Sequence, residues 1–207
     1  MPSLLILPAR FKPPDCFIHM NPLIVVNFHR QSELAGVAVF AARFGESFRG
    51  VSDLKTPLTS WPVLSMQKMD AEWTKRFLRL FLAEKNFDCL IKIDPDTSIN
   101  GELPLPVLGG DVAGDFRKSK FGWIWFGGYH FYTRAAAEKI LADTLFDGRI
   151  VSQDIPQTKS VIRLGLKAEQ LAGVNCWKMP EDADAIVSHF GHSRIPASPP
   201  GLITLAA

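Results

Sequence analysis

Apolar and polar positions along this chain follow two alternating periods. Residues 23–28 (Leu-Ile-Val-Val-Asn-Phe) make a nearly unbroken β-branched run, which predicts a strand buried on both faces. From Leu34 the period lengthens: Leu34, Val37, Ala38 and Ala41 recur at helical spacing, with Ser32 placed as a cap and Gly45 as a stop. A weaker strand signal covers residues 61–66. Asp70 then opens a second helical stripe, Trp73, Phe77, Leu80 and Phe81, that runs to Lys85. Asn86 and Asp88 break it, and Cys89–Ile93 follows as a second buried strand. That strand has to finish at Asp94-Pro95-Asp96, because proline has no N–H to give to a ladder.

The second half continues the alternation. After Gly109-Gly110 a short strand is predicted at 111–113, followed by a polar loop over 115–120. Residues 123–132 are aromatic and glycine-rich, and Arg134–Leu141 has a helical pattern. Ser152-Gln153-Asp154 opens another helix, carrying Ile155, Val161, Ile162 and Leu164 and closed by Gly165. A late strand end lies at 186–189. Alternating strands and helices predict an α/β fold: one domain with a mostly parallel central sheet flanked by helices. The expected division is an irregular, proline-bearing segment at 1–22, the domain at 23–195 and a tail at 196–207. In such sheets ligands bind beyond the carboxyl ends of the strands, where Asp94 and Asp96 stand.

Composition narrows the classes. A length of 207 residues suits one well-packed domain, and 47% hydrophobic with 21% charged residues is ordinary for a globular protein. A net charge of +2, with Lys and Arg scattered, argues against a nucleic-acid partner. Cys16, Cys89 and Cys176 are widely spaced and form no CxxC pair, so neither a structural zinc site nor a disulfide framework is expected. Cys89, inside an apolar run, reads as a core residue, and a reducing compartment follows. The apolar residues 1–7 lack a basic leader and are interrupted by Pro8; no other segment has the length to span a bilayer. The expectation is a soluble, cytoplasmic protein. A G-x-S-x-G elbow, a P-loop and a G-x-G-x-x-G fingerprint are all missing, which disfavours the usual α/β hydrolases, kinases and dinucleotide enzymes.

Several residues could carry chemistry. Two carboxylates one residue apart at a strand end can converge on a hard divalent cation such as Mg²⁺ or Mn²⁺. The competing reading is a solvated Asp-Pro turn; placement directly after an apolar strand favours the metal. Lys92 sits within that strand and needs an acidic partner, either Asp94 or Asp154. Asp154 at a helix start either stabilises the helix terminus or serves as a general base. Gly127 and Gly128 let a backbone approach a ligand closely. Trp123 and Trp125, at alternate positions, either face an acceptor sugar or pack a half-buried strand. Arg117, Lys118 and Lys120 form a basic loop, solvated or set against a diphosphate.

The stretch 87–100, running Phe-Asp-Cys-Leu-Ile-Lys-Ile-Asp-Pro-Asp-Thr-Ser-Ile-Asn, resembles the metal-binding segment of GT-A glycosyltransferases. It is most similar to the fringe and β1,3-galactosyltransferase type, in which an apolar strand with a lysine runs into an Asp-rich triplet and a hydrophobic-Asn step. Three further segments are similar and come in the same order. Lys55, Trp61 and the helix over 73–85 match a Lys-containing loop and helix ahead of the metal strand. Residues 125–134 match a glycine-aromatic strand leading into a helix. Ser152-Gln153-Asp154-Ile155, with Arg163-Leu164-Gly165-Leu166 behind it, matches an acidic motif ahead of a helix. Pro95 stands where that family has a middle acid, and Gln153 where it has a Glu.

The resemblance implies a GT-A-like, Rossmann-like fold and transfer of a sugar from a nucleoside-diphosphate donor, a UDP-sugar, to a hydroxyl acceptor. It implies that Asp96 binds the metal directly and that Asp94 meets the metal or the donor ribose. Lys55 and Lys92 would also border the donor. A late histidine, His189 or His192, would be the third ligand and would favour Mn²⁺ over Mg²⁺; His189 terminates the run Ala185-Ile186-Val187 and is the preferred one. Asp154 would be the base of an inverting transfer, and Trp123, Trp125, Gly127 and Gly128 would border the acceptor. The rival functions are a nucleotidyltransferase on a similar sheet and a non-catalytic carbohydrate-binding domain.

Overall fold

The run that begins at Leu23 offers water almost nothing. In the computed structural model it forms strand β1 (Pro22–Phe28), buried from Leu23 onward and flanked by a strand on each side. The structure describes residues 20–52, 63–65, 73–119, 122–143, 154–178, 187–190 and 200–205. On one side of β1 lie β2 (Phe48–Ser52) and β3 (Val63–Ser65), both parallel to it in sequence of pairing. On the other lies β4 (Cys89–Ile93), also parallel, with Ile24 opposite Ile91. Two further strands follow chain order: β5 (Thr97–Ile99) and β6 (Val112–Ser119). The long β7 (Gly122–Thr133) pairs antiparallel with both β4 and β6. Then come β8 (Ala168–Gln170), β9 (Val174–Lys178), β10 (Val187–Phe190) and β11 (Gly201–Ile203).

The main sheet has eight strands in the order β11-β8-β6-β7-β4-β1-β2-β3. Four of its neighbouring pairs run parallel and three antiparallel, so the expected mostly parallel α/β sheet, flanked by helices in one domain, is what the chain forms. A second sheet, β5-β10-β9, stands beside it. Helices α1 (Leu34–Phe44), α2 (Trp73–Ala83), α3 (Arg134–Leu141) and α4 (Asp154–Arg163) cover the faces. One core joins Leu23, Val25 and Leu90 to Phe77 and Phe81 of α2, Ile140 of α3 and Val161 of α4. The other joins Ile24, Val26 and Ile91 to Val37 and Phe40 of α1. Alternate residues of β1 and β4 feed the two cores, which is why both strands are apolar throughout.

Local signals are kept at some ends and replaced at others. Gly45 does end α1, at φ +51°, a conformation that costs glycine little. Ser32 is not the cap; it lies in a short 3-10 turn, Gln31–Glu33. The chain turns there because the Glu33 carboxylate accepts the N–H groups of His29 (2.7 Å) and Arg30 (3.0 Å). Thr133 caps α3 by accepting from Ala136 N at 3.2 Å. The α2 helix stops at Ala83, and Asp70 lies outside the described residues.

The polar loop expected over 115–120 is instead strand through Ser119, as part of β6. Asp115 and Arg117 are both buried and satisfy each other through paired hydrogen bonds, the closest 2.7 Å. Arg117 also donates to the Cys176 carbonyl at 2.8 Å and to Asn175, tying β6 to β9. Burial pushes the Asp115 carboxyl above its ordinary range, and Arg117 opposes part of that rise. β8 is polar yet buried as well: Glu169 accepts the N–H groups of Val107 (2.8 Å), Leu108 and Gly110 (3.1 Å) and so fixes the approach to β6. Cys89 is the core residue expected, its thiol pushed up to about 12 by burial, with Asp88 adding to it. Among the described residues no helix is long and apolar enough to cross a membrane.

Gly114 is where β6 and β7 press closest. A Cβ there would stand 2.6 Å from the Tyr129 carbonyl oxygen and closer still to the Trp125 indole nitrogen. Backbone cannot yield as a side-chain tip can. Gly114→Ala is therefore expected to lower stability by about 3 kcal/mol, read from the urea midpoint; a loss below about 1 kcal/mol would contradict this packing.

Candidate functional site

Strands β1, β2 and β4 run parallel and finish at one edge of the sheet, with His29 and Asp94 just beyond the ends of β1 and β4. β7 crosses this edge in the opposite direction. Its Tyr129 pairs with Ile93, the last residue of β4, so Gly128 and Gly127 continue past the strand end alongside the acidic turn. The Asp94 N–H donates to the Gly128 carbonyl at 3.3 Å, and the Thr97 hydroxyl donates to the same oxygen at 3.0 Å. Thr97 N closes the turn onto the Asp94 carbonyl at 3.1 Å. α1 seats against the other side, where a Cβ on Gly36 would lie 3.0 Å from the Pro95 carbonyl oxygen. The Asp-Pro-Asp turn is thus held by β7 and backed by a helix.

Lys92 is 3% exposed, so its ammonium must be neutralised where it stands. It forms an ion pair with Asp94 Oδ1 and donates to the Gly127 carbonyl at 2.8 Å. Of its two candidate partners, Asp94 is the one it pairs with. The Asn27 amide, in the orientation that satisfies both of its ends, donates to the same Asp94 Oδ1 at 3.2 Å and to the Ile93 carbonyl at 3.3 Å. One oxygen of Asp94 is therefore committed to the protein. The other, Oδ2, faces Gly127.

Gly127 is the floor of the site. A Cβ built there would stand 3.3 Å from Asp94 Oδ2, 3.0 Å from Asp154 Oδ1 and 3.6 Å from Asp154 Oδ2. Two carboxylates, one from the end of β4 and one from the first turn of α4, therefore converge on the hollow that a missing side chain leaves. The Asp94 side chain is 20% exposed, Asp154 is half-buried and Asp96 is exposed, so all three acids keep contact with water. Hard oxygen donors in pairs suit Mg²⁺ or Mn²⁺. Among the described residues no group of three or more His, Cys, Asp or Glu side chains is assembled to hold a metal.

His189 reaches this neighbourhood by its backbone: β10 runs antiparallel to β5 with His189 opposite Thr97, the residue after Asp96. Its side chain lies outside the described residues, as do Lys55, Lys120 and His192. Trp125 takes the core role that alternation allowed. It is fully buried, stacked on Phe116 with ring centres 5.2 Å apart and tilted against His130 at 4.3 Å. Trp123 remains partly exposed, with the Lys118 ammonium 5.9 Å from its ring centre. Arg117 is buried against Asp115 and belongs to no solvated basic loop.

Two groups of residues were not singled out in the sequence. Asn27 is one; its signal is a lone amide in a β-branched run. The other is a polar layer between α4, α2 and β7. Tyr132 Oη donates to Gln157 Oε1 at 2.8 Å, and Gln157 Nε2 donates to Thr74 Oγ1 at 2.9 Å. Thr158 Oγ1 accepts the Trp125 N–H at 2.8 Å. Their signal is polar residues on helix faces that the apolar stripe should own. Burial, and after it the charges of Asp154 and Asp94, hold the Tyr132 hydroxyl well above its ordinary pKa.

An open cleft of about 850 Å³ lies at the other end of the sheet, lined by Asn21, Glu46, Arg49, Glu84 and Phe87 among others. Arg49 there is bound to Glu84 at 2.9 Å and to the Glu46 carbonyl at 2.7 Å, so its guanidinium is already engaged. Size favours that cleft; converging carboxylates favour the hollow over Gly127, and chemistry is the better guide to a reaction. No protein-family model matches the chain, and no curated protein matches it.

Proposed function

We propose that the chain is a metal-dependent glycosyltransferase of GT-A-like fold. It moves a sugar from a nucleoside diphosphate, a UDP-sugar, to a hydroxyl acceptor with inversion. The observation that carries the reading is the meeting of Asp94 and Asp154 over Gly127, beyond the carboxyl ends of parallel strands. Asp94 Oδ2, Asp96 and His189 would hold Mn²⁺ or Mg²⁺. A divalent ion in that position supplies positive charge to the departing diphosphate.

The remaining steps belong to the chain. Lys92 and Asn27 hold Asp94 Oδ1 and so keep Oδ2 turned to the hollow. Asp154 accepts the proton of the acceptor hydroxyl while that oxygen attacks the anomeric carbon. The bond from that carbon to the diphosphate oxygen breaks, and its electron pair leaves with UDP. Trp123 would face the acceptor, and Lys55 would border the donor. Cys89 and Cys176 are free, buried thiols, which supports a reducing, cytoplasmic setting.

Calorimetric titration of UDP with and without Mn²⁺ tests this reading. Mn²⁺ should tighten UDP binding by at least about tenfold, or about 1.4 kcal/mol, and Asp96→Ala should abolish that gain. Equal affinity in the two proteins would remove the metal site from the proposal. Released pyrophosphate in place of UDP would identify nucleotidyl transfer instead.

A further inference from the structure

We propose that Thr158 is a positioning residue that sets the distance between the Asp154 carboxylate and the floor at Gly127. The proposal rests on the transferase reading for its kinetic consequence and on geometry alone for its structural one. Thr158 lies one helical turn after Asp154 and is 1% exposed. Its hydroxyl donates to the Asp154 carbonyl oxygen at 2.6 Å and accepts the Trp125 N–H at 2.8 Å. Trp125 stands two residues before Gly127 on β7. One hydroxyl therefore joins the residue that carries the carboxylate to the strand that carries the floor.

β7 needs this acceptor for a definite reason. β4 ends at Ile93, opposite Tyr129, so among the described residues the side of β7 away from β6 has no strand at Trp125 to take its N–H. A buried N–H without a partner costs about 1–3 kcal/mol, and Thr158 supplies the partner. A threonine in mid-helix is otherwise a weak choice, since its hydroxyl competes with backbone bonds; valine would fill the same space. The neighbouring Gln157, also 1% exposed, binds Tyr132 on β7 and Thr74 on α2. Thr158 fixes the depth of the first turn of α4, and Gln157 fixes its rotation.

Proton abstraction depends on reacting atoms about 3 Å apart, and a displacement near 1 Å can lower a rate about 100-fold. The test combines kinetics with crystallography on the full chain carrying Thr158→Val or Thr158→Ser. Release of UDP from UDP-galactose, UDP-glucose and UDP-N-acetylglucosamine is measured with Mn²⁺, water serving as the hydroxyl acceptor of the sugar. Thr158→Val should lower kcat by about 10- to 100-fold with KM for the donor within about twofold; Thr158→Ser, which keeps the hydroxyl, should stay near wild type. A residue serving stability alone would lower both variants' thermal midpoints without separating kcat from KM. Wild-type kcat in Thr158→Val, or an equal loss in Thr158→Ser, would overturn the proposal.

Wild-type protein that releases no UDP from any of the three donors counts against the transferase reading, and crystals then decide the positioning role. The Asp154 carboxylate should withdraw from Gly127 in Thr158→Val and stay in place in Thr158→Ser. An unmoved carboxylate in Thr158→Val overturns the role whatever the activity. If that variant does not fold, Thr158→Ala, which likewise removes the hydroxyl that joins Asp154 to Trp125, takes its place. Unchanged Asp154 geometry there is equally fatal.

Discussion

Asp154→Asn is expected to slow UDP release by about 10²- to 10⁴-fold while leaving the affinity for UDP and Mn²⁺ within about twofold of wild type. Asparagine keeps the size of the side chain and its capacity to accept a hydrogen bond, but it cannot take a proton from a hydroxyl. The carboxylate faces the hollow over Gly127, so a group placed there meets Asp154 oxygens directly. Loss of one negative charge at the start of α4 costs about 0.3–1 kcal/mol, too little to unfold the chain. Steady-state rates and calorimetry on the same preparation separate the outcomes. A rate within threefold of wild type ends the general-base role, whereas matched losses of rate and of Mn²⁺-dependent affinity would make Asp154 a ligand of the metal.

Lys92→Met should cost about 3 kcal/mol of stability, the larger part of it from leaving the Asp94 carboxylate without its counter-charge and the Gly127 carbonyl without the lysine donor. Asp94 retains some contact with water, which keeps the loss towards the lower end for a broken buried pair. Methionine fills the volume of the lysine stem, so a cavity contributes little. The double variant Lys92→Met with Asp94→Asn should recover at least half of the loss, because an amide needs no counter-charge. Urea denaturation of the wild type, both single variants and the double variant gives the coupling energy. If Lys92→Met loses less than 1 kcal/mol, or the double variant is no better than Lys92→Met, the ion pair does not hold Asp94 in place.

The elements legible in the sequence are those whose evidence lies within one turn or one strand. β1 and β4 announce themselves because both faces are buried, and α1 stops at Gly45 because a left-handed residue suits glycine. The end of β4 at Asp94 follows from the proline beside it. The start of β6 was legible in the strand expected at 111–113, but its continuation was missed because Asp115 and Arg117 look solvated until each is seen covering the other. β8 was missed for a similar reason: Glu169 has its partners more than fifty residues away, at Val107, Leu108 and Gly110. Within the site, Asp94, Lys92, Gly127, Gly128 and Asp154 were all named from sequence, and the structure brings them together. What sequence could not provide is the reach of Asn27, Thr158 and Gln157, since each acts on a different element from its own. Nor could alternation alone tell which tryptophan of β7 packs inward; only Trp125 among Phe116, His130 and Tyr132 settles that.

The small sheet that closes the acidic turn joins distant parts of the polypeptide: β5 ends at Ile99, and the strand zipped to it begins at Val187. A nascent chain emerging from the ribosome owns both aspartates of the turn long before it owns the segment that flanks them. Bringing those ends together also carries the entropy of a long loop, so this closure belongs among the later and slower events of folding. On this topology the turn gains its flanking strand only once Val187–Phe190 has been made, and a fragment released earlier would carry the acids without that strand.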